Sequence, residues 1–149
     1  MILSGTFTFE GPRTRVWEIL QDPDVLAKAL PGTKTLTKVA EDRYQGIMKV
    51  SVGPMSAAEF NISVELKDKV EPEKFSMVID GKGGVGFTKG TATIVLDEQP
   101  GPVTVMNYTS DVQIGGKIAA VGQRLLESVG KMMTKQALEA LNKELKARL

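Results

Sequence analysis

The side chains that carry most enzyme chemistry are scarce in this sequence. Its 149 residues include no cysteine and no histidine. Without them there is no Ser-His-Asp or Cys-His nucleophile, no thiolate or imidazole zinc site and no histidine-ligated haem. Disulfides are excluded for the same reason. No catalytic residue and no metal ligand is assigned. What remains is Tyr108, a phenol that shares an apolar strand face with Met106 and Val112. A buried phenol needs a hydrogen-bond partner, which is a ligand carbonyl in a pocket and backbone or water elsewhere. Asp111 and Gln113 take the opposite face of that strand and read as solvated. The carboxylate pairs Asp22/Asp24 and Asp97/Glu98 fall at caps and turns and read as surface groups.

One motif imitates a cofactor site. Gly81-x-Gly83-x-x-Gly86 spells the dinucleotide fingerprint, which works only between a strand and a helix whose N-terminus faces the pyrophosphate. Here residues 91–96 follow as another strand, so the glycines read as a sharp bend. Their missing side chains leave space for the wall or mouth of a cavity.

Composition narrows the class further. Apolar residues make up 42% and charged residues 25%, as in a soluble globular domain. The formal net charge of +1 supplies no field to draw in nucleic acid. From Lys117 onward, however, seven Lys or Arg stand against three Glu. The first residues lack a basic, apolar leader, so no signal peptide is expected. No run approaches the ~18 apolar residues of a membrane span. A reducing, cytoplasmic setting fits a chain without cysteine. The sequons at Asn61 and Asn107 lie inside predicted strands and read as chance matches.

The elements follow from periodicity. Residues 2–9 alternate as a first strand, with Leu3, Phe7 and Phe9 on one side. Pro12 opens a short helix through Gln21, since proline suits the first helical turn. Asp22 caps a second one ending at Ala29. Six strands then follow. Tyr44, Gly46, Met48, Val50 and Val52 share a face; so do Ala58, Phe60, Ile62, Val64 and Leu66, and then Phe75, Met77 and Ile79. Segments 87–97 and 103–114 complete the series. Met48, Met77, Met106, Met132 and Met133 fall on or near inner faces, where the flexible thioether suits both pockets and ordinary cores.

From Lys117 the period becomes helical for about 30 residues. Ile118, Val121, Leu125, Val129, Met132 and Met133 form one stripe. Leu138, Leu141, Leu145 and Leu149 lie roughly 140–180° away from it at 100° per residue. One face cannot bury both sets. The second row, flanked by Lys135, Lys143, Lys146 and Arg148, is expected to be exposed and to meet a partner protein, a second copy in a homodimer, or a membrane surface. An antiparallel meander with one apolar face and one long amphipathic helix to cover it make a single α+β domain, residues 1–149.

That order resembles the helix-grip fold of the birch pollen allergen, START domains and polyketide cyclases. Four groups of residues are similar to the G-subunit family of carbon monoxide dehydrogenase. They are Asp22-Pro23 with Leu30-Pro31-Gly32, the segment Gly46 to Pro54, Gly81-Lys82-Gly83 with Gly86 to Gly90, and Val112 to Lys117 with Gly122 to Leu125. The resemblance implies a curved antiparallel sheet of about seven strands, two short helices and a long C-terminal helix closing a hydrophobic cavity. It also implies service to a molybdenum hydroxylase and a quinone or other lipid-like molecule as guest, with no covalent cofactor. Some family members continue into a membrane anchor. None is expected here after Leu149, so any contact with the inner membrane surface would be peripheral. The apolar wall is then expected from Met48, Val50, Phe60, Ile62, Met77, Ile79, Phe87, Met106, Tyr108, Ile118, Val121, Leu125 and Val129. The function expected is sequestration and carriage of a hydrophobic small molecule. Its rivals are an assembly or recruitment factor for the enzyme, and a cyclase- or dehydratase-like enzyme using Tyr108.

Overall fold

The alternating segments pair into one antiparallel sheet. In the computed structural model, which describes residues 1–149 apart from the side chain of Ser56, β1 (Ile2–Phe9) leads into α1 (Arg13–Gln21) and α2 (Pro23–Ala29). A meander follows: β2 (Thr33–Ala40), β3 (Arg43–Val52), β4 (Met55–Val70), β5 (Lys74–Gly83), β6 (Gly86–Gln99) and β7 (Val103–Gly115). A 3-10 turn at Lys117–Val121 precedes the long α3 (Gln123–Ala147). The strand order is β1-β7-β6-β5-β4-β3-β2. The first strand thus adds to the free side of the last, and α1 and α2 carry the chain from one sheet edge to the other.

Local chemistry explains the short helices. Pro12 precedes the first turn of α1, and the Asp22 carboxylate accepts the Asp24 N–H at 2.9 Å to cap α2. Each turns an apolar face inward, Val16, Trp17, Ile19 and Leu20 from α1 and Val25, Leu26 and Ala29 from α2. Near both ends of β4 the pairing slips, between Val50 and Val52 and between Lys67 and Val70. Ala57 and Asp68 have left-handed backbone beside those slips, with φ of 54° and 53°. Bulges of this kind bend a strand and increase its twist, so the longest strand carries much of the curvature. The glycine motif forms a tight turn at Gly84 and Val85, with Gly83 facing Gly86 across it. A strand follows, as the sequence requires.

The helical period does not run unbroken from Lys117. Gly116 and Gly122 have φ of 84° and 102°, a region glycine enters without a Cβ penalty, and they bracket the 3-10 turn. The α-helix begins only at Gln123. The leucine row within it is not the exposed surface expected of it. Leu138, Leu141 and Leu145 are buried, Leu145 completely, and only Leu149 is exposed. They pack with α1, α2 and the adjoining strands in one large core. Met132, expected from the same stripe as an inner residue, is half exposed.

The interior is divided. The larger cluster joins Phe9, Tyr44, Val64, Leu66, Phe75, Met77, Ile94, Leu96 and Met106 to α1, α2 and the second half of α3. A smaller one joins Val52, Ala58, Phe60, Ile62 and Ile118, with Val121, Leu125, Leu126 and Val129 packed against it. α3 therefore buries one face near its start and the opposite face near its end, because it meets different neighbours along its length. Among the described residues, no helix is long and apolar enough to cross a membrane.

Candidate functional site

Cross-strand register fixes what the concave face presents between the two clusters. Ile79 faces Gly90, which faces Val112; Met77 faces Ala92, which faces Ser110. These positions alternate with outward-facing Lys89, Thr91 and Thr93, so they point inward like Ile94 and Leu96 further along β6. Yet Ile79, Gly90, Ala92, Ser110, Val112 and Ile114 are only half-buried. Solvent therefore reaches the inner face along this stretch. A Cβ placed on Gly90 would meet Val112 Cγ2 at 3.7 Å and the Asp111 carbonyl oxygen at 4.0 Å, ordinary van der Waals contacts, so a side chain there is not sterically barred.

Two half-open clefts follow the seam between β1, β7 and α3. The first, about 480 Å³, is lined by Ile2, Leu3, Ser4, Thr6, Phe7, Tyr108, Lys131, Thr134, Lys135 and Leu138. The second, about 460 Å³, is lined by Met1, Phe87, Val112, Gln113, Ile114, Ala119, Gln123 and Leu126. Between them Leu3 lies against Gly130: a Cβ at that glycine would come within 2.9 Å of Leu3 Cδ1. Both volumes lie in the range of small-molecule pockets, about 300–1,000 Å³.

The expected wall residues are only partly brought to these openings. Met48, Val50, Phe60, Ile62, Ile118, Val121, Leu125 and Val129 come together, but as the smaller cluster packed on itself. Leu125 reaches the β3–β4 turn, where a Cβ on Gly53 would sit 2.6 Å from its Cδ2. Met77 and Met106 belong to the larger cluster, with Ile79 and Tyr108 at its margin. Tyr108 alone among the inward-facing wall residues also lines a cleft. Its ring lies over Gly5, and its hydroxyl makes no hydrogen bond among the described residues. Phe87 is a correction. It stands on the outward face of β6 opposite Gly115, is half exposed, and contributes only to the rim of the second cleft. Strict alternation back from Ile94 makes Thr88 the inward residue and would have excluded Phe87. The expected mouth at the glycine bend is also displaced: the 3-10 turn covers it, Ile118 N–H donating to the Val85 carbonyl at 2.7 Å. Leu3, Phe7, Leu138, Lys131, Thr134 and Lys135 were not expected at a cleft. At 100° per residue the last four fall on one side of α3, a signal already present in the sequence.

The perturbed carboxylate, Glu10, lies on the surface, where the Asn142 amide and then the Lys146 ammonium hold its pKa below the ordinary value of 4.5. Among the described residues no group of three or more acidic side chains is placed to hold a metal ion.

Comparisons with known proteins agree with this architecture. The model of the CoxG family, the G-subunit family of carbon monoxide dehydrogenase, matches residues 5–146. No curated protein matches the chain. A conserved protein from Geobacillus kaustophilus has a crystal structure that superposes with a TM-score of 0.93 at 28% identity, over 99% of this chain and 96% of that one. A START superfamily protein from Mycobacterium smegmatis gives 0.74 at 12% identity, over 99% of both chains. An aromatase/cyclase from Streptomyces gives 0.72 at 16% identity, over 99% of this chain and 94% of that one. The last two establish the shared fold.

Proposed function

The chain belongs to the CoxG family of carbon monoxide dehydrogenase, and from that premise we propose that it holds a hydrophobic, quinone-like small molecule as an accessory to a molybdenum hydroxylase. The observation that carries the reading is the half-buried stretch of inner face at Gly90, Ser110 and Val112, beside two half-open clefts of about 480 and 460 Å³. Burial of apolar surface supplies the affinity, about 25 cal/mol per Å² before the costs of association. The free Tyr108 hydroxyl is a donor suited to a carbonyl oxygen of the guest. Carriage without reaction fits a phenol that has no hydrogen-bonded acid or base beside it.

Gly90→Leu tests this. A Cβ there meets only ordinary contacts and the backbone is that of a strand, so the variant should unfold within about 1 kcal/mol of the parent in chemical denaturation. Native mass spectrometry with decylubiquinone should show a one-to-one complex for the parent and none for the variant. Equal binding by both would remove the guest from this part of the interior. Absence of binding by the parent, together with enzyme capture that both proteins support equally, would favour an assembly or recruitment role instead.

A further inference from the structure

The first cleft is lined by the apolar Leu3, Phe7 and Leu138, by the hydroxyls of Ser4, Thr6, Thr134 and Tyr108 and, at its exposed rim, by Lys131 and Lys135; no carboxylate is among its lining residues. The two lysines are four residues apart on α3 and both are exposed. Like charges at that spacing repel on a helix unless something neutralises them. Glu127 and Glu139 stand at the matching spacing on either side, yet neither pairs with them, and neither lysine joins any ion pair among the described residues. Among the described residues, two of the three cations at the end of the same helix are paired and Lys143 is not. Lys146 pairs with Glu10 at 3.2 Å, and Arg148 with Asp22 at 3.4 Å. Tyr108 adds to the same cleft a hydroxyl with no hydrogen-bond partner among the described residues.

We propose that this cleft seats an acidic amphiphile with a single alkyl tail, its carboxylate held by Lys131 and Lys135 and its tail against Leu3, Phe7 and Leu138. Charge complementarity selects the head: two unpaired ammonium groups and a phenol donor face a cleft without a competing acid. The apolar residues behind the rim select the tail. The proposal rests on the reading of the interior as a seat for apolar guests, and it specifies the polar end of one that lodges beside β1.

The test uses the full-length chain with dodecanoate and 1-dodecanol, titrated calorimetrically below their aggregation limits. The parent should bind the acid about tenfold more tightly than the alcohol, the effect of a charge-assisted contact. In Lys131→Gln/Lys135→Gln the two ligands should bind alike, at the parent's affinity for the alcohol. Both substitutions are at exposed positions and leave the core untouched. Equal affinities in the parent, or an acid preference that survives in the double variant, would overturn the proposal. Binding of decylubiquinone but of neither alkyl ligand would also overturn it and leave the carrier reading standing. Failure of all three ligands would remove both.

Discussion

At the scale of single residues, the junction of β1 with α3 is fastened by groups with specific partners. The Glu10 carboxylate accepts from the Asn142 amide at 2.9 Å and pairs with Lys146. The Glu10 N–H donates to the Asn142 side-chain oxygen at 3.1 Å. Behind it the buried Thr104 hydroxyl donates to the Gly11 carbonyl at 2.8 Å. The lowered pKa of Glu10 gives this junction a pH dependence of known sign. Protons bind the unfolded carboxylate more readily, so the stabilisation is complete above its ordinary value of 4.5 and is lost as pH falls through the lowered folded value. Thermal melts should therefore show the parent ahead of Glu10→Gln at neutral pH, with the gap closing in acid. An unchanged gap at low pH would remove the charge from the explanation. The Glu10–Asn142 pair could not be read from the sequence, since the two residues stand 132 apart. Tyr108 was legible as an inward phenol because the alternation around it is unbroken. Phe87 was misread because its hydrophobicity was weighed above its parity.

At the scale of elements, α3 joins the two halves of the interior. Its early residues press on the β3–β4 turn through Leu125, and its late residues fill the space beneath α1 and α2. Leu145 sits over Gly11, where a Cβ would come within 3.1 Å of its Cδ2. Leu145→Ala should cost about 2–5 kcal/mol in denaturant unfolding, as a cavity in a close-packed core does. A loss below about 1 kcal/mol, the range of surface substitutions, would return the leucine row to the surface role first expected of it. The strands, both short helices and the existence of α3 were legible, because each has a strong period and a recognisable start. The start of α3 was not, because glycines at 116 and 122 break the helix without breaking the apolar pattern. Three core leucines read as an interaction surface because one helix was expected to bury one face throughout, whereas α3 meets different neighbours at its two ends.

At the scale of the whole molecule, the sheet order and the covering helix follow from the meander and its single apolar face, and comparison with known folds bears them out. The division of the interior into two clusters with an accessible stretch between them did not follow, since periodicity says which residues face inward but not how completely they fill the space. The contact of Leu3 with Gly130 has a consequence for any tail that enters the first cleft. It acts as a stop. Across a homologous series of straight-chain acids, affinity should rise by about 0.8 kcal/mol for each added methylene while the tail still finds apolar wall. It should then level off at the length that reaches Leu3, because a longer chain must push that side chain off the helix backbone. Leu3→Ala should move the plateau to longer chains. The protein would then measure its guest as well as hold it, with one leucine as the end of the scale.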